Sequence, residues 1–125
     1  MNENAIGSSV LGCAMKIHTA LGPGLLESVY EICMIHELAK IGVKTARQTP
    51  LPVRYDGLEI EGGFRVDLVV ENLVILELKA VEELMPVHKS QLLTYLRLSG
   101  LKLGYLLNFN VPHMRDGIKR VVNGL

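Results

Sequence analysis

The segment FRVDLVVENLVILELKA, residues 64–80, constrains the fold of this chain most strongly. It is the most apolar run in the sequence, and its two halves, rich in Val and Leu, have the composition of buried strands joined by a short loop. The charged residues within it are Arg65, Asp67, Glu71, Glu77 and Lys79. A hairpin of buried strands therefore has to place charged side chains within or beside the core.

The loop between the two strands decides whether Asp67 and Glu77 meet. Alternation places Glu77 and Lys79 on the same face of the second strand. A two-residue turn at Glu71 and Asn72 would pair residue 67 with residue 76 and leave the two carboxylates on opposite faces. A loop of three or five residues, or a single bulge, would pair 67 with 77 and 65 with 79. Since no Asn-Gly or Asp-Gly pair lies near Asn72, the longer loop is compatible with the sequence.

The rest of the chain predicts helices and strands on both sides of this hairpin. Apolar spacing and Gly or Pro stops predict helices over residues 7–21, 25–41 and 86–99. Extended segments are predicted over residues 43–57, 58–70, 73–80 and 101–109. The first of these is interrupted by Pro50 and Pro52, which favours an edge strand. The IKRVV segment, residues 118–122, is compatible with a short strand or with an irregular tail.

The element order α-α-β-β-β-α-β predicts an α/β fold with a mixed central β-sheet flanked by helices. A strand-helix-strand unit is right-handed by default, so strands 73–80 and 101–109 are expected to be parallel neighbours. The hairpins before them are expected to be antiparallel. A chain of 125 residues has the size of one domain, which we expect to span residues 1–125.

Composition limits the classes of partner. Thirteen basic and thirteen acidic residues give a formal net charge of zero, which argues against strong nucleic-acid binding through bulk charge alone. No apolar stretch reaches the ~20 residues of a membrane span, and the first residues, MNEN, do not resemble a signal peptide. We therefore expect a cytoplasmic protein with no membrane partner. The hydrophobic content of 49% is compatible with a homo-oligomer but identifies no surface for it.

The predicted meeting of Asp67 and Glu77 has chemical consequences. Two carboxylates at the edge of a core repel each other and lose hydration, which is costly unless a cation neutralises them. Mg²⁺ suits such hard oxygen ligands and can also take a phosphate oxygen. Lys79 beside the ion can hold or deprotonate a water molecule and stabilise charge on phosphoryl oxygens. This arrangement is a geometry for phosphodiester hydrolysis, although the spacing alone is equally compatible with a solvated face that carries an ion pair.

Several segments carry these and other polar residues in a characteristic order along the chain. They are LGPGLLESVYE, FRVDLVV, VILELKA, QLLTYL and GYLLNF. With this set the chain resembles the PD-(D/E)XK nuclease superfamily, and more closely the bacterial GxxExxY family, over nearly its whole length. The GxxExxY signature is Gly24-Leu25-Leu26-Glu27-Ser28-Val29-Tyr30. One departure is Val66, where the superfamily name has proline.

The resemblance implies a restriction-endonuclease-like core and a set of site residues. The residues implied to be catalytic are Asp67, Glu77, Lys79, Gln91 and Tyr95. Gln91 and Tyr95 are similar to the QxxxY element of RecB-like nucleases. Glu27 is implied to join Asp67 and Glu77 as a metal ligand.

The implied activity is that of a nuclease that depends on Mg²⁺ or Mn²⁺ and hydrolyses phosphodiester bonds, with DNA as the expected nucleic acid. The alternative is a catalytically inactive module of the same fold that binds nucleic acid or a protein partner. The joint presence of the expected polar residues favours the enzyme, whereas the net neutrality of the chain favours the module.

Overall fold

The computed structural model describes residues 2–125 and contains, within that range, three α-helices, five β-strands and one short 3-10 helix. The helices are α1 (Glu3–Leu21), α2 (Glu27–Lys40) and α3 (Pro86–Ser99). The strands are β1 (Thr45–Tyr55), β2 (Leu58–Val70), β3 (Val74–Lys79), β4 (Leu103–Asn108) and β5 (Ile118–Val122). The 3-10 helix is Met114–Gly117. No helix in the described part of the chain is long and apolar enough to cross a membrane.

The strands form a mixed sheet in the order β1-β2-β3-β4-β5. β1, β2 and β3 are antiparallel neighbours, β3 and β4 run parallel, and β5 returns antiparallel to β4. α3 forms the crossover between the two parallel strands. The predicted α/β class with a mixed central sheet is therefore confirmed, and so is the parallel pairing of the two strands on either side of α3.

α1 begins earlier than predicted, at Glu3 rather than at residue 7. Asn2 caps the helix, because its side-chain oxygen accepts a hydrogen bond from the N–H of Ala5 at 2.8 Å. Ile6 in the first turn is fully buried and continues the spacing of Val10 and Ala14, so both Ile6 and the cap were signals for the earlier start.

The two outer strands are the edges of the sheet, as predicted for β1. β1 continues through Pro50, which pairs with Arg65 of β2, and its register shifts at Pro52, between Leu51 and Val53. An edge strand tolerates proline because half of its N–H groups have no partner strand. The IKRVV segment, left open by the sequence, is the strand β5 at the other edge of the sheet.

Helices cover both faces of the sheet and divide the core into two clusters. α1 and α2 pack on one face, where their apolar side chains meet Leu68 of β2, Leu76 of β3 and Leu107 of β4. α3 packs on the other face, where Leu92 meets Ile75 of β3. Ile75 and Leu76 thus point to opposite faces, as strand alternation predicts. Each of these buried side chains contributes roughly 1.5–3 kcal/mol.

Tyr30 joins α2 to the end of β4 and to the loop that precedes α2. Its ring is fully buried and stacks on Phe109, with ring centroids 4.3 Å apart. Its hydroxyl donates to the carbonyl of Gly22 at 2.6 Å and accepts the N–H of Leu25 at 3.2 Å. In the same loop Gly24 has a φ of 100°, a conformation that favours glycine. Tyr30 is therefore a packing residue that sets where α2 begins.

Candidate active site

The three-residue loop 71–73 joins β2 to β3 and sets the register of their hairpin. The ladder between the two strands ends with the pair Leu68 and Leu76, so the next residues in register are Asp67 and Glu77. Of the loops of two, three and five residues that the sequence allowed, the three-residue loop is the one formed, and the two carboxylate residues lie opposite each other.

Beyond that pair, the side chains of Asp67 and Glu77 take the place of the main-chain ladder. The N–H of Asp67 donates to Glu77 Oε2 at 2.8 Å, and the N–H of Leu78 donates to Asp67 Oδ2, also at 2.8 Å. Each carboxylate is thus held by a main-chain N–H of the facing strand. Because a hydrogen bond contributes about 0.5–1.5 kcal/mol, and more when its acceptor is ionised, both side chains are fixed where regular pairing has stopped.

β2 changes faces at Asp67. Leu68 packs on the side of α1 and α2, whereas Val66 packs with α3, although regular alternation would place both on one face. The prediction that Arg65 shares a face with Asp67 is therefore wrong, and so is the pairing of residue 65 with residue 79. The physical reason is that the ladder with β3 ends at Leu68, so it no longer determines how β2 alternates.

Burial raises the pKa of both carboxyl groups. Glu77 is 5% exposed, and its desolvation together with the charge of Asp67 raises its pKa to about 8. Desolvation also raises the pKa of Asp67, and the hydrogen bond from the Leu78 N–H opposes that rise. The ammonium of Lys79 opposes both pKa shifts, so it lies within electrostatic reach of both carboxylates. The pair therefore favours a bound proton or another cation.

Tyr95 and Gln91 approach the pair from α3. The Tyr95 ring is 8% exposed and stacks on Phe64, with ring centroids 4.1 Å apart. Burial raises the pKa of the Tyr95 hydroxyl, and the charges of Glu77 and Asp67 raise it further. A hydrogen bond with Gln91, one turn earlier on α3, opposes this rise. Tyr95 thus lies beside the carboxylates, and Gln91 contacts Tyr95.

Glu27, in the first turn of α2, lies at the end of β3. Its side chain is exposed, and its Oε2 accepts the N–H of Ala80 at 2.9 Å. Within residues 2–125, no three His, Cys, Asp or Glu side chains form a group that could hold a metal ion. The predicted set of Glu27, Asp67 and Glu77 is therefore not assembled in this arrangement, because Glu27 bonds instead to the main chain next to Lys79.

Glu31 belongs to the site, although the sequence analysis did not select it. It lies one turn after Glu27 on α2, is 5% exposed, and accepts hydrogen bonds from Arg47 Nε at 2.8 Å and Gln48 Nε2 at 3.2 Å. Its charge raises the pKa of Asp67, so Glu31 also lies within electrostatic reach of the pair. The available signal was its spacing of four residues from Glu27, which places both carboxylates on one helix face.

β1 presents Arg47 and Gln48 to Glu31 through an irregular backbone. The pairing of β1 with β2 skips Gln48 and resumes at Thr49, and Gln48 has a positive φ of 49°. Positive φ is uncommon for a residue other than glycine. By register, this irregularity lies opposite Asp67, so both neighbours of β2 depart from regular pairing at the same place.

The mixed sheet with a carboxylate on one central strand and a Glu-x-Lys pair on the next defines the class of restriction-endonuclease-like α/β folds. The model of the PD-(D/E)XK nuclease superfamily matches residues 4–121. The chain therefore belongs to the PD-(D/E)XK nuclease superfamily. Asp67, Glu77 and Lys79 are the residues at which its sequence carries that pattern.

One solved structure, described as "Crystal structure of SSO0001", is similar to this chain with a TM-score of 0.56 and 20% sequence identity. The match covers 78% of this chain and 50% of that chain, so the matched region spans about half the length of the other protein. At this identity the likeness supports the fold alone. A comparison with curated proteins found no match.

Replacing Glu77 by Gln should stabilise the metal-free protein at high pH. A carboxyl group with a raised pKa binds its proton more tightly in the folded chain, so stability is lost as pH rises from its ordinary value of 4.5 through about 8. In the presence of chelator, the variant and the wild type should have the same Tm at pH 4.5. Above pH 8 the Tm of the variant should be higher than that of the wild type by about 5 °C or more. Exposed Glu83→Gln is the control, and a Glu77→Gln effect independent of pH would contradict the raised pKa.

Replacing Arg47 by Ala should lower the free energy of unfolding by roughly 1–3 kcal/mol, because buried Glu31 would lose its charged donor. Arg54→Ala is the matched control on the same hairpin, since the Arg54 guanidinium lies 3.9 Å from an exposed Glu59. That exposed pair should contribute about 0.5 kcal/mol or less. Urea denaturation measures the free energy of unfolding of both variants. Equal losses in Arg47→Ala and Arg54→Ala would show that the Arg47–Glu31 pair stabilises the protein no more than an exposed ion pair does.

Proposed function

We propose that this protein hydrolyses phosphodiester bonds in a metal-dependent reaction, with DNA as its substrate. The observation that carries the proposal is the pair of Asp67 and Glu77, each held by an N–H of the facing strand, with Lys79 within electrostatic reach of both. Membership in a nuclease superfamily supports the reaction class.

The chemistry of the donor set fits a divalent cation. The buried carboxylate of Glu77 and the partly buried carboxylate of Asp67 repel each other, and the pKa of about 8 at Glu77 reflects how strongly the pair favours an added positive charge. Carboxylate oxygens are hard ligands that Mg²⁺ and Mn²⁺ prefer. In this proposal Asp67 and Glu77 would hold the ion. Glu27 is the proposed third ligand, because its carboxylate already lies at Ala80, next to Lys79.

A bound ion would supply a Lewis acid that polarises a phosphoryl oxygen and acidifies a water molecule. The Lys79 ammonium is proposed to orient the attacking water and to stabilise the charge that develops on the phosphoryl oxygens. Gln91 and Tyr95, which contact each other on α3, would orient the phosphate from the other side. One water is consumed for each phosphodiester bond, and the products are a phosphomonoester end and a free hydroxyl end.

We also infer the finer family assignment, to the GxxExxY group with a QxxxY element at Gln91 and Tyr95. Each residue of the proposed signature has a physical role that supports it. Gly24 adopts a left-handed conformation, Glu27 binds the N–H that follows Lys79, and Tyr30 anchors the loop before α2. We expect residues 1–125 to act as one domain in the cytoplasm.

A catalytically inactive module that binds nucleic acid or a protein is the second candidate. The formal net charge of zero favours it, because an enzyme that grips a phosphate backbone gains affinity from basic residues. The joint presence of Asp67, Glu77 and Lys79 at one site favours the enzyme, because binding alone has no need for two carboxylates next to a lysine.

The direct test is incubation of the purified protein with labelled single- and double-stranded DNA and RNA, with Mg²⁺, with Mn²⁺ and with chelator. We expect cleavage of DNA that requires metal and that falls by ~100-fold or more in Lys79→Ala. Lys102→Ala, a lysine exposed in the loop before β4, is the matched control and should retain the wild-type rate. Cleavage of RNA alone would contradict the proposed substrate.

Thermal melts separate metal binding from hydrolysis. Mg²⁺ or Mn²⁺ should raise the Tm of the wild type by mass action, and Asp67→Ala should abolish this rise. Lys79→Ala should keep the rise although it has lost activity, and Glu27→Ala should reduce it less than Asp67→Ala does. Identical responses of wild type and Asp67→Ala to metal would overturn the nuclease mechanism in favour of the binding module.

A further inference from the structure

The hairpin of β1 and β2 extends beyond the body of the protein as a two-stranded ribbon. Leu51 and Phe64 still pack in the cluster below α3. Beyond them, residues 54–63 are all exposed, and the tip turns at Asp56 and Gly57, which have positive φ angles. The ribbon therefore projects into solvent with no helix covering it.

One face of this ribbon is apolar. Tyr55 pairs with Leu58 and Val53 pairs with Ile60, and strand alternation puts both pairs on the same side, which we call the ribbon face. Tyr55 is 71% exposed and Leu58 is 62% exposed. A two-stranded ribbon with an apolar face is only marginally stable in water, so burial of this face against a partner is favourable.

A second exposed apolar surface lies between α1 and α2, on the opposite side of the sheet from α3. It is a groove with a volume of about 400 Å³, and its apolar walls include Ala20, Leu21, Ile32 and Cys33. Ile32 is 55% exposed and Leu21 is 45% exposed. We call this surface the α1/α2 groove.

The ribbon carries an excess of negative charge, with Asp56 in the turn at its tip and with Glu59 and Glu61 on the side opposite the ribbon face. Its acidic residues are Asp56, Glu59 and Glu61. Between residues 53 and 63 the single basic residue is Arg54, which lies opposite Glu59 and thus compensates one of these carboxylates. The tip of the ribbon is therefore acidic.

The rim of the α1/α2 groove carries the opposite sign. Glu37 is the only carboxylate among its lining residues, and it binds both Lys16, at 2.6 Å, and Lys40, at 3.2 Å. One carboxylate thus faces two ammonium groups, with His36 beside them. The rim retains a positive charge that can attract an acidic surface.

We propose that the ribbon face of one copy of this chain binds in the α1/α2 groove of a second copy. Both halves of the contact are present in one molecule, both have apolar side chains exposed, and the ribbon is acidic overall whereas the groove rim is basic overall. Burial of the apolar side chains supplies the main driving force, and the opposite net charges of the ribbon and the groove rim attract the two copies. This proposal does not depend on the nuclease activity, and it provides a surface for the homo-oligomer that composition alone could not locate.

The contact joins two different surfaces of the chain, so a closed dimer has to make it twice about a two-fold axis. Two copies that exchange ribbons make the contact twice and close into a dimer. Making the contact twice doubles the buried area, which brings it closer to the roughly 1,200–2,000 Å² of a stable interface. A contact made only once per pair would leave one ribbon and one groove exposed at the ends. The closed dimer is therefore the expected form.

Sedimentation equilibrium of the purified full chain tests the proposal. The wild type should form a reversible dimer, and Leu58→Lys in the ribbon or Ile32→Glu in the groove should each raise the dimer Kd at least tenfold. Each change adds a charge that repels the opposing surface. Val122→Glu is the control, because Val122 is exposed on β5, outside both surfaces, and its Kd should match that of the wild type. Circular dichroism verifies that each variant is folded.

Mixing the two disrupted variants distinguishes the ribbon-to-groove contact from a contact in which a surface binds the same surface of the second copy. Leu58→Lys retains an unmodified groove and Ile32→Glu retains an unmodified ribbon, so the mixture should recover pairs that neither variant forms alone. A groove-to-groove contact would instead leave Leu58→Lys fully dimeric, and a ribbon-to-ribbon contact would leave Ile32→Glu fully dimeric. Either of these results overturns the proposal.

Cys33 allows a direct readout, because it lies in the groove and is partly exposed, whereas Cys13 is buried. A Leu58→Cys, Cys33→Ser variant mixed with wild type should give a covalent dimer with a short bismaleimide reagent. The yield should fall to background when both partners carry Cys33→Ser. A wild type that stays monomeric at the highest soluble concentration, or a mixture that gives no covalent dimer above background, overturns the proposal.

Discussion

The exchange of two hydrogen bonds between β2 and β3 is the interaction on which the rest of the site depends. Where the ladder ends after Leu68 and Leu76, Asp67 and Glu77 each accept an N–H of the facing strand. This exchange keeps two like charges together in a place where burial and repulsion act to protonate them. The pKa of Glu77, raised to about 8, is the electrostatic consequence. A site that holds negative charge in this way is suited to receive a cation.

The surrounding elements support that pair from three directions. β3 itself brings Lys79, α3 brings Tyr95 in a stack with Phe64, and α2 brings buried Glu31, which is paired with the half-exposed Arg47 of β1. These contacts connect the site to both faces of the sheet and to its outer strand. Because Tyr95 and Glu31 are buried and held by partners, and each carboxylate is held by a main-chain N–H, the two carboxylates have little freedom to move apart.

Prediction from sequence succeeded where the pattern is local and failed where it depends on neighbours. The alternation of residues 74–79 and the crossover around α3 agree with the structure. The alternation of β2 around Arg65 was wrong, because the carboxylates replace the ladder that enforces it. The burial of Glu31 was missed, since its spacing from Glu27 says nothing of Arg47, which arrives from another part of the chain.

The sequence by itself determined the order of the elements, the apolar hairpin, and the presence of Asp67, Glu77 and Lys79 on it, because alternation and turn signals act between near neighbours. Only the tertiary structure decided that Glu27 binds the N–H of Ala80 rather than joining the other carboxylates. It also decided that an acidic apolar ribbon and a basic apolar groove are both left exposed. Such outcomes depend on contacts between distant segments, whose geometry is set by packing of the whole sheet and its helices.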